Sequence, residues 1–262
     1  MPKEAILVTM DVTALYTNID HNEGAEACYN VLEKRKNKKV SSSLLKRLIL
    51  LVLQNNVFRF NEKLYKQIKG TAMGTPMAVN YANIFLDQFE RDMLNEYQQK
   101  RNLRPLFSMR YIDDIFFIWN HDESSLKDFI QFCNNYSESK KMKSKIKFRS
   151  CISKDSVNFL DVTVRISKNR IVTSVYSKPT DAHLYLHKKS CHPHYVIKNI
   201  PKGQFIRVRR ICSNIEDFNV HAETMKKNFI ARVYDPRNFI TICIFLGYRL
   251  IPSQLDWMLF PS

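Results

Sequence analysis

Residues 107–119 read FSMRYIDDIFFIW, and this stretch decides the fold. Apolar and aromatic residues run into and out of two adjacent acids, Asp113 and Asp114. The pattern predicts two strands joined by a tight turn at Ile112–Asp114. Carboxylates held side by side between apolar strands repel one another unless a cation sits between them. A third acid, Asp11, lies near the end of another short apolar run, AILVTMDV (5–12), predicted as a buried strand. Three carboxylates delivered by strand ends suit Mg2+, a hard cation that keeps several waters and is completed by phosphate oxygens. The bland reading, solvated turn acids, fits poorly with such apolar flanks.

The remaining elements follow outward from this pair. A helical pattern runs from Glu23 to about Lys36, and Ser41–Ser43 offers caps for SLLKRLILLVLQ. VFRFN and KLYKQ flank Asn61-Glu62 as hairpin arms. KGTAMGTP (69–76) is a Gly/Thr/Pro loop in a glycine-poor chain, and it opens the long amphipathic helix MAVNYANIFLDQFERDMLNEY. Asp122 caps a helix over LKDFIQFCNNY. Three strand-like runs follow, KIKFRSCI, VNFLDVTVRI and RIVTSVYS, then helices around GQFIRVRRICSN and IEDFNVHAETMKKNFIARV. This order predicts an α+β fold, an antiparallel sheet with packed helices followed by a mostly helical region.

Composition narrows the partners. Of 262 residues, Lys+Arg 41 against Asp+Glu 25 gives a formal charge of +16, which favours a polyanion such as nucleic acid. MPKEAILVTM holds no apolar run long enough for a signal peptide or anchor, and FITICIFLGYRLI (239–251) falls short of the roughly 18 residues that span a bilayer. The six cysteines form no paired framework, so reduced thiols and an intracellular, non-membrane protein are expected. His183, His187, Cys191, His192 and His194 cluster, but without the paired spacing of a structural zinc site.

MDVTALYTNI, GTAMGTPMA followed by a helix, YIDD between strands, and NFLD resemble motifs A, B and C and the primer-grip strand of reverse transcriptases, in the family's order. SVYSKPTDAHLYLHKKSCHPHYVIKNIPKGQFIRVRRICS resembles the segment downstream of the palm in Penelope-like retroelements, a telomerase-related lineage. The resemblance implies a palm over residues 1–177, a thumb-like region over 178–233 and an unmatched tail over 234–262. It implies an RNA-directed DNA polymerase working on an RNA template, a DNA primer and deoxynucleoside triphosphates, nuclear if active. Two Mg2+ ions are implied, with Mn2+ as the alternative, held by Asp11, Asp113, Asp114 and the Val12 carbonyl.

Further roles come from the same resemblance. Backbone amides of Thr13, Ala14 and Leu15 face the triphosphate. Tyr16 is the gate that excludes a 2′-hydroxyl. Gly70 and Gly74 let the backbone approach nucleotide and template, Pro76 starts the following helix, and Met73 stands where many relatives carry Gln. Phe159, Leu160 and Asp161 match the primer grip, and Arg207, Arg209 and Arg210 offer phosphate contacts. Lys154 is the candidate general acid by position, ahead of Lys145 and Lys147. Lys140, Lys141, Lys143, Lys145, Lys147 and Arg149 form a second basic strip. The fingers motifs expected upstream do not precede Ala5, so a truncated chain is expected. A polymerase remnant that binds nucleic acid without catalysis is the alternative, and an unrelated two-metal nuclease is disfavoured because it needs neither Tyr16 nor the Gly loop.

Overall fold

The structure, a computed structural model, describes residues 5–236 and Phe239. The rest of the predicted tail, including most of FITICIFLGYRLI, lies outside the described residues. Two compact units divide at Lys154/Asp155, earlier in the chain than the boundary at 177 expected from the motifs.

The first unit runs β1 (Ile6–Val12), α1 (Leu15–Asn18), α2 (His21–Glu33), α3 (Ser42–Gln54), β2 (Val57–Phe60), β3 (Lys63–Lys66), α4 (Ala78–Arg101), β4 (Phe107–Tyr111), β5 (Asp114–Trp119), α5 (Glu123–Ser139) and β6 (Phe148–Ser153). Its main sheet has the order β4-β5-β1-β6 and is antiparallel throughout. β1 is central, and its alternation puts Ile6, Val8, Met10 and Val12 on the face that joins the main core with Ile115, Phe117 and Trp119 of β5. Helices α4 and α5 supply Phe85, Phe89, Tyr97, Phe129 and Tyr136 to the same core. Aromatic edges lock it: Trp119 stacks on Phe129 at 5.0 Å between centroids, and Phe89 meets Tyr136 edge-on at 5.2 Å.

Local chemistry sets the element ends, at Asp122 as expected, and at Asp20 with α2 starting at His21, two residues before the expected Glu23. The Asp20 carboxylate caps α2 by accepting the amides of Asn22 and Glu23, and the Asp122 carboxylate caps α5 through the Ser125 amide. The predicted hairpin is β2–β3, with Asn61 and Glu62 both at positive φ in its turn. One buried glycine has a packing reason. A Cβ on Gly24 would stand 2.0 Å from the Tyr81 hydroxyl oxygen, which donates its proton to the Asp20 carbonyl at 3.2 Å. Only glycine lets α2 approach α4 this closely.

The second unit holds β7 (Ser156–Phe159), β8 (Val162–Ser167), β9 (Arg170–Val175), α6 (His194–Ile211) and α7 (Ile215–Ala231). The stretch VNFLDVTVRI, expected as one strand, is two: a turn at Leu160–Asp161 splits it, with Leu160 at φ 55. Helices α6 and α7 pack through Phe205, Val208, Phe218, Ala222 and Phe229. Arg165 of β8 pairs with Asp217 of α7, which ties the strands to the helices. No described helix is long and apolar enough to cross a membrane.

Replacing Gly24 with Ala forces the buried Tyr81 ring to shift, and overpacking of this kind costs about 1–3 kcal/mol. Urea unfolding of Gly24→Ala is expected to show that loss, with an unchanged denaturant slope.

Candidate active site

The register of β1 assembles the acids. Asp11 stands opposite Asp114 of β5 on one side and opposite Arg149 of β6 on the other. Directly paired residues of antiparallel strands project to the same face, so Asp114, Asp11 and Arg149 form one row across the sheet. Asp113 occupies the turn next to this row, and its carbonyl accepts the Val12 amide at 3.0 Å, which joins that turn to the end of β1. Burial raises the Asp11 pKa, the Asp113 charge raises it further and Arg149 opposes the rise. The acids therefore sense one another.

The turn is tighter than its residue types prefer. Tyr111 pairs with Asp114, leaving only Ile112 and Asp113 between the strands, and Ile112 adopts φ 54. A β-branched residue in the left-handed region is strained and persists only when its surroundings hold it. Arg110 does so: it donates to the Ile112 carbonyl at 2.9 Å, to the Asn83 amide oxygen at 2.9 Å and to the Glu90 carboxylate at 2.8 Å. The side chains of Arg110 and Glu90 are only 13% and 20% exposed. Burial raises the Glu90 pKa, and Arg110 pulls it back. Sequence reasoning missed Arg110, Glu90 and Asn83. A basic residue in a strand one turn from paired acids was the available signal.

The predicted gate and the Gly loop also meet here. Tyr16 lies on α1; burial, then the Asp113 charge, raises the pKa of its phenol. Its carbonyl accepts the Thr71 amide at 2.7 Å, and the Ile19 carbonyl accepts the Gly70 amide at 3.1 Å. The buried His21 ring closes the junction with a 2.7 Å hydrogen bond to the Gly70 carbonyl. Gly70 has φ +75, and a Cβ there would lie 2.4 Å from the Tyr16 carbonyl oxygen, so both conformation and space require glycine. Gly74, at φ +91, faces open space, and Met73 is 72% exposed. Pro76 sits in the turn before α4, which begins two residues later at Ala78.

Several expectations need correction. Lys154 lies five positions beyond Arg149 on the β6 side, about 16 Å along the strand direction from the acids. It pairs with Glu123 at 3.6 Å, at the other end of the sheet, and cannot serve as the general acid from there. The Thr13 amide already donates to the Lys147 carbonyl at 2.9 Å, so it leaves the run expected to face phosphate; pairing of β1 with β6 continues one residue further than the motif suggests. The arginines of α6 also divide. Arg207 pairs with Asp161 in the β7–β8 turn, and Arg209 lies over the Phe218 ring at 5.9 Å and donates to the Cys212 carbonyl. Arg210 is exposed. In the basic strip, Lys140 pairs with Glu96, and Lys147 with Glu138.

The donor set is all oxygen and fits a hard divalent cation, although among the described residues no three His, Cys, Asp or Glu side chains converge as a ready coordination cluster. Ligand oxygens from substrate and water would have to complete such a site.

The fold recurs in template-directed polymerases. The telomerase of Candida tropicalis aligns over 94% of this chain and 43% of its own with TM-score 0.55 and 12% identity. The BmCPV RNA-dependent RNA polymerase aligns over 92% and 21% with TM-score 0.54 and 12% identity. The RNA-dependent RNA polymerase of a human picobirnavirus aligns over 97% and 46% with TM-score 0.51 and 13% identity. The chain thus spans less than half the length of each. At these identities the likeness concerns the fold. Family membership comes from sequence: the profile described as "Reverse transcriptase (RNA-dependent DNA polymerase)" matches residues 1–164. That is more than half of the chain, and the protein belongs to this family. A second profile, "Animal helix-turn-helix domain", matches residues 184–245, spanning α6 and α7 and extending into the stretch expected to be an unmatched tail. No curated protein matches the sequence.

Two outcomes follow. A raised Asp11 pKa means the folded state holds that proton more tightly than the unfolded chain does. The stabilisation is present below the unfolded pKa and is lost as pH rises through the folded one. Asp11→Asn is therefore expected to raise Tm in metal-free buffer at about pH 7, with the gain gone at about pH 3. Arg110→Met strands the buried Glu90 charge and should cost about 3 kcal/mol in chemical denaturation, whereas Arg110→Met with Glu90→Met recovers most of it.

Proposed function

We propose that this chain is the palm and thumb-like part of an RNA-directed DNA polymerase of retroelement origin, in a Penelope-like, telomerase-related lineage. One observation carries the reading: Asp11, Asp113, Tyr16 and Gly70, drawn from three separated motifs, come together around the end of β1. An RNA template, a DNA primer and deoxynucleoside triphosphates are the proposed substrates. The palm is assigned to 1–177 and the thumb-like part to 178–233, on motif order, with 234–262 as a tail.

Asp11 and Asp113, aided by Asp114 and the Val12 carbonyl, would hold two Mg2+ ions, or Mn2+ in their place. Bound there, these ions would activate the primer 3′-hydroxyl toward the α-phosphate and stabilise the leaving pyrophosphate. The chain's own residues do the rest. The Tyr16 backbone is tied to the Gly loop through the Thr71 amide, and its ring, beside the acids, would collide with a ribose 2′-hydroxyl. Met73, exposed and without a hydrogen-bonding group, offers packing to the nucleotide in place of the amide that many relatives use. Ala14 and Leu15 present the start of α1 toward the same space. In the second unit, Phe159, Leu160 and Asp161 form the turn assigned to the primer grip, with Arg207 fixing Asp161. Arg210 is open to phosphate, and Arg209 supports the helix pair.

A remnant that binds nucleic acid without catalysis is favoured by one observation, the lack of a preassembled three-acid cluster among the described residues. Primer extension with Mg2+ and an RNA template decides between them. Extension by the wild type, its loss by at least about 1,000-fold in Asp113→Ala, and unchanged template binding in that variant support the enzyme. Equal inertness of both proteins, each still binding template, supports the remnant. In an active protein, Tyr16→Ala is expected to raise ribonucleotide incorporation relative to deoxynucleotide by about 10-fold or more.

A further inference from the structure

We infer that Arg149 is the polyphosphate-binding residue of this site and contacts the β- and γ-phosphates of the incoming nucleotide. The inference rests on the polymerase reading above and was not among the residues that the motifs assign. Its basis is position. Arg149 is the direct cross-strand partner of Asp11 and projects from the same face, on the side of β1 away from Asp114. The row therefore reads acid, acid, cation across three adjacent strands, with neighbouring strands about 4.8 Å apart.

The other basic side chains on the strands of the main sheet, or directly flanking β6, are engaged. Arg110 is held by Glu90 and Asn83, Lys147 by Glu138 and the Asn134 carbonyl, and Lys154 by Glu123. Arg149 is exposed, and among the described residues its side chain forms no ion pair or hydrogen bond. A triphosphate adds several negative charges beside the paired carboxylates of Asp11 and Asp114. A fixed cation beside Asp11 offsets part of that repulsion. Guanidinium suits the task because its planar fork binds phosphate oxygens in pairs.

The same chemistry limits the role. Arginine stays protonated at working pH, so Arg149 is no proton donor. The primer 3′-hydroxyl gives up its proton to water and the 3′-oxygen–Pα bond forms. The Pα–O bond to the β-phosphate breaks, and pyrophosphate leaves with that bond's electron pair while Arg149 keeps its proton and its charge. With the α-phosphate at the acids, the tail of the nucleotide extends toward β6.

The test is equilibrium binding on a dideoxy-terminated hairpin primer–template with Mg2+, where no chemistry can occur. Affinity for the complementary deoxynucleoside triphosphate is measured beside that for the corresponding monophosphate. Arg149→Gln is expected to lose triphosphate affinity by about 10-fold or more with monophosphate affinity unchanged, Arg149→Lys to recover part of it, and Lys154→Gln to bind as wild type. Melting curves confirm folding, which an exposed side chain should leave intact. Equal triphosphate affinity in wild type and Arg149→Gln overturns the inference and leaves the polymerase reading standing. An equal drop for both ligands also overturns it, because Arg149 would then act through Asp11. A folded wild type that binds neither nucleotide removes the inference and the reading together.

Discussion

Everything in the first unit depends on one pairing constraint, the placement of Asp11 in the middle of an antiparallel sheet. A carboxylate opposite another carboxylate destabilises a ladder, since like charges across strands repel. β1 accepts it because its other face carries Ile6, Val8, Met10 and Val12 into the core. Burial of that face sets the register, and a slip of one residue would turn the whole strand over. The acid row is therefore a consequence of core packing.

A second layer of interactions holds the parts that the sheet cannot. The Ile112 turn would relax without Arg110, whose guanidinium links that turn to Asn83 and Glu90 of α4. The Gly loop would drift from α1 without the hydrogen bonds from Gly70, Thr71 and His21. Both clamps reach back to the helices that cover the sheet. The strain at Ile112 thus has a structural counterweight, as expected where a backbone is held away from its preferred conformation for a purpose.

Much of this was legible beforehand, for identifiable reasons. Alternating β1 and the apolar runs around Asp113 and Asp114 announce strands, because period-two burial leaves few other readings. The caps at Ser41 and Asp122 and the Asn61-Glu62 turn are local chemistry. Gly70 stood out by its rarity in a glycine-poor chain. The Lys154 assignment failed because proximity in sequence was used where strand register decides. The single-strand reading of VNFLDVTVRI failed because its turn contains no glycine, and Leu160 bears the positive φ instead.

Sequence alone determined most element types, the ordered motifs that carry Asp11, Tyr16, Asp113 and Asp114, and the family, since these rest on local periodicity and motif order. Tertiary structure decided which cations are free and which are engaged. Arg149 and Lys154 are equivalent basic residues in a basic stretch until β6 pairs with β1. That pairing sets one beside Asp11 and the other at the far end of the sheet, and charge acts over ångströms in space, whatever the separation along the chain.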